Sequence, residues 1–299
     1  MTSASPAPRP TPIPLRPTPR VVPRVEWRAV VHVALLLFFA VIFIVPLLVM
    51  IASAFKADEL QLMQEIGTWK AIIPSTPSLQ NFVDVFRRMR FLRFALNSII
   101  VVTGIIAGGL LVNSMMAYAL ARLRFRGRRL LLTLIVAMMI MPFEGIAIPL
   151  LMLVNRLGWI DSYHVQIVPF LAHPFSIFLF YQFFIGIPRE FDEAALVDGA
   201  SRARVYWSII LPLSRPVIAT VSILQALEYW GAFLWPLMVT RGETYRPLTV
   251  AIQTFFGQYP RDWGDTMAFA TMMTVPVLIL FLAFQSWFIQ SLTSSGLKG

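Results

Sequence analysis

Six long apolar runs separated by polar connections organise the chain from residue 29 onward. They cover roughly residues 29–54, 94–121, 129–154, 163–187, 217–239 and 267–290. Each reaches the ~20 residues needed to cross ~30 Å of hydrocarbon as a helix. The pattern predicts an all-α integral membrane protein with six transmembrane helices. A further stretch, 82–94, mixes Phe, Val, Met and Leu with Arg87, Arg88, Arg90 and Arg93. It predicts an amphipathic helix lying at the outer interface. The first run ends in Ala52-Ser53-Ala54, which mimics a signal-peptide cleavage site. The run is long for a signal h-region of ~7–15 residues, so a retained helix is expected.

Composition agrees with lipid as the solvent. Hydrophobic residues make up 58% of 299 residues and charged residues 13%. A soluble domain averages roughly 45–50% apolar and ~25% charged. There is no cysteine, which excludes disulfides, thiolate metal sites and cysteine nucleophiles. The net charge of +10 flanks the apolar runs, so it reads as membrane topology rather than nucleic-acid binding. Residues 1–28 hold eight prolines between Pro6 and Pro23, interleaved with arginines. They predict a disordered Pro/Arg-rich cytoplasmic tail, separate from a membrane domain over residues 29–299.

Lysine and arginine set the expected orientation. With both termini inside, the inner segments carry 15 of the 25 basic residues. The strongest local signal is the hairpin 122–129, with arginine at 122, 124, 126, 128 and 129. This orientation places residues 188–216 in the cytoplasm. Pro188 suits a first helical position. Glu190, Asp192 and Glu193 place negative charge where the helix dipole favours it. Gly199 can end that helix in the left-handed conformation, and Ser201 can cap the next one. The second helix is expected to run through Ile209 until Pro212 stops it. A helix–Gly–helix hairpin results, with Ala194, Ala195 and Ala200 adding little bulk at the bend.

The segment Glu193-Ala194-Ala195-Leu196-Val197-Asp198-Gly199-Ala200, followed after eight residues by Ile209-Ile210-Leu211-Pro212, resembles the signature loop of ABC-importer permeases. Further similarity lies in Asn97-Ser98, Ala117-Tyr118-Ala119-Leu120-Ala121-Arg122, Ile187-Pro188, Phe233-Leu234-Trp235-Pro236-Leu237 and Leu297-Lys298-Gly299. Over about residues 29–299 the chain is similar to the maltose-type carbohydrate and glycerol-phosphate group of binding-protein-dependent importers. The resemblance implies a coupling loop at 188–212 that docks into a cleft of an ATP-hydrolysing subunit. Glu193, Ala194, Ala195, Asp198, Gly199, Ala200, Leu211 and Pro212 would carry that docking. It also implies a second homologous permease, two ATP-binding subunits, an extracytoplasmic solute-binding protein, and residence in a bacterial or archaeal cytoplasmic membrane. The family's Trp-Asn-Asp or Trp-Asn-Glu before Phe-Leu-Trp-Pro-Leu is replaced here by Trp230-Gly231-Ala232, with an acid upstream at Glu228.

Acids within apolar segments mark pathways or interfaces, because charge there is costly. Glu144 lies between Pro142 and Pro149, and Glu228 lies near Ser222, Gln225 and Tyr229. Glu144, Gln225, Glu228 and Tyr229 are therefore candidates for the solute pathway or the permease interface. Neither acid has an obvious partner in the apolar segments. His173 reads as a packed imidazole. No enzyme is expected, and no cofactor, metal or catalytic residue is assigned. A P-loop needs Gly-Lys, and Phe55, Trp69 and Leu297 precede the only lysines. An ion-coupled secondary transporter is the rival reading. It would account for the two acids and not for residues 188–212.

Overall fold

The computed structural model describes residues 27–56, 58–257 and 262–296. The expected tail and the terminal Leu297-Lys298-Gly299 lie outside these residues, apart from Trp27 and Arg28. The chain divides into two compact units, residues 1–47 and 48–299. Described residues of the first are helical and belong to α1 (Trp27–Ala54). Within that helix Ala52, Ser53 and Ala54 are buried.

The second unit is also helical. Its central element is α4 (Phe91–Arg122). Before it come α2 (Glu59–Glu65) and α3 (Gln80–Arg88). The expected helix over 82–94 is thus two helices, parted at Met89 and Arg90. Three exposed arginines of this stretch, Arg88, Arg90 and Arg93, reach partners elsewhere in the chain. Arg88 reaches Asp265 at 2.7 Å and Asp262 at 2.9 Å, and the Arg93 Nε donates to the Thr244 carbonyl. Asp265 is fully buried and went unremarked in the sequence. Lys56 and Glu65 form a buried pair at 3.0 Å. The Ser75 hydroxyl, then Lys56, hold the Glu65 carboxyl below the ordinary carboxylate range.

Among the described residues, three helices are long and apolar enough to cross a membrane: Val30–Ala54, Phe91–Arg122 and Trp263–Phe284. The last lies in α16 (Trp263–Gly296). The other expected spans are broken. The third is α5 (Arg128–Met138) and α6 (Phe143–Arg156), which meet at 106°. Pro142 sits in extended conformation at that corner as the N-cap of α6, whereas Pro149 is accommodated inside α6. The fourth is α7 (Tyr163–Ile167), a 3₁₀ turn, and α8 (Pro174–Gly186), bent by 40°. The fifth is α12 (Arg215–Trp230) and α13 (Leu234–Val239), with Gly231, Ala232 and Phe233 between them.

α8 and α12 pack along α4. Gly104 and Gly108, one turn apart, let the chain approach closely. A Cβ at Gly104 would sit 2.8 Å from the Ile167 Cδ1, and one at Gly108 would sit 2.6 Å from the Leu171 Cδ2. Small residues at this spacing are how helices approach in membranes, where apolar burial gives little drive. Asn97 and Ser98 bind the loop beyond α13. The Asn97 Nδ2 donates to the Thr244 and Arg246 carbonyls, the Tyr163 hydroxyl donates to the Asn97 Oδ1, and the Leu248 N–H donates to the Ser98 Oγ.

Gly108→Val should overpack this contact and lower stability by about 1–3 kcal/mol. Thermal unfolding in detergent checks it, with a surface change such as Arg126→Ala as the neutral control.

Candidate functional site

Two sites emerge, an exposed hairpin and a cavity. The hairpin begins with α9 (Glu190–Val197). Arg189 is its N-cap, so Pro188 lies before the helix rather than in its first turn. Three acids occupy the first turn. Gly199 ends α9 with φ of 82°. Its N–H donates to the Leu196 carbonyl at 3.1 Å, and the Ala200 N–H reaches back to the Ala195 carbonyl at 2.9 Å. This paired closure is a Schellman motif, which satisfies carbonyls that the helix end leaves open. The Ser201 hydroxyl then accepts from the Arg204 N–H and starts α10 (Arg202–Val205). A π-turn over Tyr206–Ile210 leads into α11 (Leu211–Leu213). The helix continues past Pro212 and turns at Ser214 instead, with a 75° bend into α12. Pro212 falls in the first turn of α11, where its missing donor is tolerated.

The signature residues divide between two faces. Glu193, Ala194, Asp198, Gly199 and Pro212 are exposed, while Ala195, Ala200 and Leu211 pack against the core. Val197 stands at the tip, 87% exposed. Sequence reasoning passed over it, because a lone valine inside a motif carries no signal. Asp192 turns the other way and is buried against Arg122, at 3.3 Å. That pairing was also missed, since Arg122 read as a topology residue and the end of a motif, with no partner named.

The cavity measures about 600 Å³ and lies where the broken helices meet. Its wall includes Phe143, Phe170, Tyr229, Trp235, His173 and Glu228. Phe143 and Phe170 each meet Trp235 edge to face and tilt against one another, and Tyr229 joins them through Phe170. Glu228 has a partner after all: the His173 Nε2 stands 3.6 Å from its Oε2. The two residues come from different apolar segments, so only the fold brings them together. The other ring nitrogen of His173 is 2.8 Å from the Ser176 Oγ, which accepts from the Gln225 amide at 3.2 Å. Gln225 is buried behind the wall rather than lining it. Glu144 lies apart from the cavity, exposed in the first turn of α6, where the helix dipole favours an acid. The helix breaks around the cavity are patched by side chains. The His173 N–H donates to the Asn113 Oδ1 at 2.9 Å, and the Thr249 hydroxyl donates to the Ala232 carbonyl at 2.7 Å.

The model of the binding-protein-dependent transport system inner membrane component family matches residues 100–294. An arabinooligosaccharides transport system permease protein of Halalkalibacterium halodurans is 34% identical over 278 residues, covering 93% of this chain and 98% of that protein. A trehalose/maltose transport system permease protein of Thermococcus litoralis is 30% identical, covering 88% and 94%. A crystal structure of a bacterial ABC transporter that imports the acidic polysaccharide alginate contains a chain of the same fold. Its TM-score is 0.78 at 23% identity, covering 87% of this chain and 96% of that one. The membrane domain with its helix–Gly–helix hairpin belongs to the family of inner membrane components of binding-protein-dependent transport systems, and the chain is a transport component rather than an enzyme.

Proposed function

We propose that this chain forms half of the translocation pathway of an ATP-driven importer for a sugar or related solute. A second permease, two ATP-binding subunits and an extracytoplasmic binding protein would complete the assembly. The observation that carries this reading is the hairpin of residues 188–212. Its exposed residues include Glu193, Ala194, Val197 and Asp198 beside a glycine bend, flanked by Arg202 and Arg204, with Val197 as an apolar contact at the tip. An ion-coupled carrier has no use for such a surface. The saccharide class follows from the two relatives and from the aromatic wall, since a few placed polar groups on an apolar lining suit a small ligand. The solute would meet this chain at Glu228 and Tyr229, whereas Gln225 supports the wall and Glu144 would face the second permease.

The orientation is checked by labelling. Ser201→Cys, the only thiol in the chain, should react with an impermeant reagent only after the membrane is opened. Labelling from outside intact cells would reverse the topology.

Glu193→Lys reverses the charge offered to the ATPase and opposes the helix dipole. Gly199→Val imposes a Cβ on a left-handed residue, at about 1–2 kcal/mol. No atom lies within 4 Å of that added Cβ, so the cost is local strain and a blocked surface. Both variants should reach the membrane at normal levels, lose the ATPase on co-purification and lose uptake. Wild-type association and uptake in either one counts against the docking surface.

Glu228→Gln should change the affinity or rate of uptake and leave assembly intact. Maltose and arabinotriose are suitable probes, given the relatives. Unchanged kinetics with both, in a variant that wild type outperforms with neither, would reduce Glu228 to a structural acid.

A further inference from the structure

Ser114, Tyr118 and Arg122 recur every four residues on α4, so they stand on one helix face. All three are buried, and each reaches the region of residues 187–210. The Ser114 and Tyr206 hydroxyls are 2.8 Å apart. The Tyr118 hydroxyl donates to the Arg202 carbonyl at 3.2 Å. Arg122 makes two ties: its Nη2 donates to the Ile187 carbonyl at 2.7 Å, and its Nε stands 3.3 Å from the Asp192 carboxylate. The side chains of this ion pair are only 3% and 12% exposed. Arg122 thus grips both ends of the turn into α9, and Tyr118 holds the start of α10. Tyr118 and Tyr206 also pack ring against ring. Among the described residues, Arg122 is the one arginine of the hairpin 122–129 that pairs with an acid.

We infer that this stripe fastens the hairpin to α4 as one rigid body, with Arg122 as the positioning residue that makes ATP-driven movement of the hairpin a movement of α4. The inference rests on the proposed docking of the hairpin to an ATPase. A buried charge pair suits the purpose, because separating it leaves both charges stranded in an apolar setting. The motion then arrives where it is needed. One residue beyond Ser114 on the same helix, Asn113 accepts from the backbone of His173, which pairs with Glu228 in the cavity wall. Neighbouring Gly109 lies against Gln225, which holds Ser176 beneath the same histidine. Lysine at position 122 would keep the charge and lose the second tie, since it offers a point charge where arginine offers a fork.

The test uses the whole complex purified with its ATPase subunits. A fluorescent unnatural amino acid in place of Leu96, exposed near the far end of α4, reports movement of that helix when ATP is added. Arg122→Met, and the near-isosteric Asp192→Asn, should retain the ATPase subunits and their hydrolysis while the fluorescence response falls roughly tenfold. Arg122→Cys with Asp192→Cys, joined by a short bifunctional thiol reagent, should regain the response. A merely structural role would give no such gain on cross-linking. A full response in the single variants overturns the inference, as does a cross-link that suppresses the response, a pair that never cross-links, or a wild-type α4 that does not respond. Loss of ATPase subunits from the wild-type complex would instead overturn the docking surface on which the inference stands.

Discussion

A backbone that leaves helical form inside an apolar bundle must find new partners for the donors and acceptors it releases. In lipid each unmet group costs several kcal/mol, with no water to compensate. This protein breaks its helices repeatedly, and the repairs come from a small set of side chains. Asn113 meets the break before α8, Thr249 meets the break after α12, and Asn97 gathers two carbonyls of the loop beyond α13. Two of these three residues belong to α4. That helix remains unbroken over 32 residues while its neighbours bend, and the cavity opens at the bends it stabilises.

Close approach makes the repairs possible. Short amide side chains reach a neighbour's backbone only when the helices nearly touch, and Gly104, Gly108 and Gly109 remove the side chains that would hold them apart. Glycine is a poor helix former, costing about 1 kcal/mol against alanine in a helix interior. Its presence three times in six residues indicates that packing outweighs propensity here. The same helix also carries the polar stripe toward the hairpin, so one element serves the bundle, the cavity wall and the hairpin root.

Much of this was readable from the residues in order. Apolar length located the helical segments, and local chemistry located the bend at Gly199 and the cap at Ser201, because each depends on neighbours in sequence. All but one of the misreadings share a cause. Residues 82–94 split into two helices because Arg88, Arg90 and Arg93 turn toward acids and carbonyls of residues 243–265. Glu228 looked partnerless because its histidine stands 55 positions earlier, on another segment. The pairing of Arg122 with Asp192 was hidden for the same reason. Periodicity reports which face a residue occupies on its own element, and it carries nothing about which elements come to lie together. Pro212 failed differently: a proline can open a helical turn as readily as end one, and only the backbone before it decides.

The closure at Gly199 separates the shape of the hairpin from its outward chemistry. Main-chain bonds from Gly199 and Ala200, with the Ser201 cap, fix the bend, and Ala195 and Leu196 seat it on the core. None of these constraints involves the outward side chains of Glu193 or Val197. Those two positions are therefore free to diverge without disturbing the framework beneath them. Under the proposed docking, a change of contact chemistry at these two side chains would alter the choice of partner and leave the geometry of the bend intact.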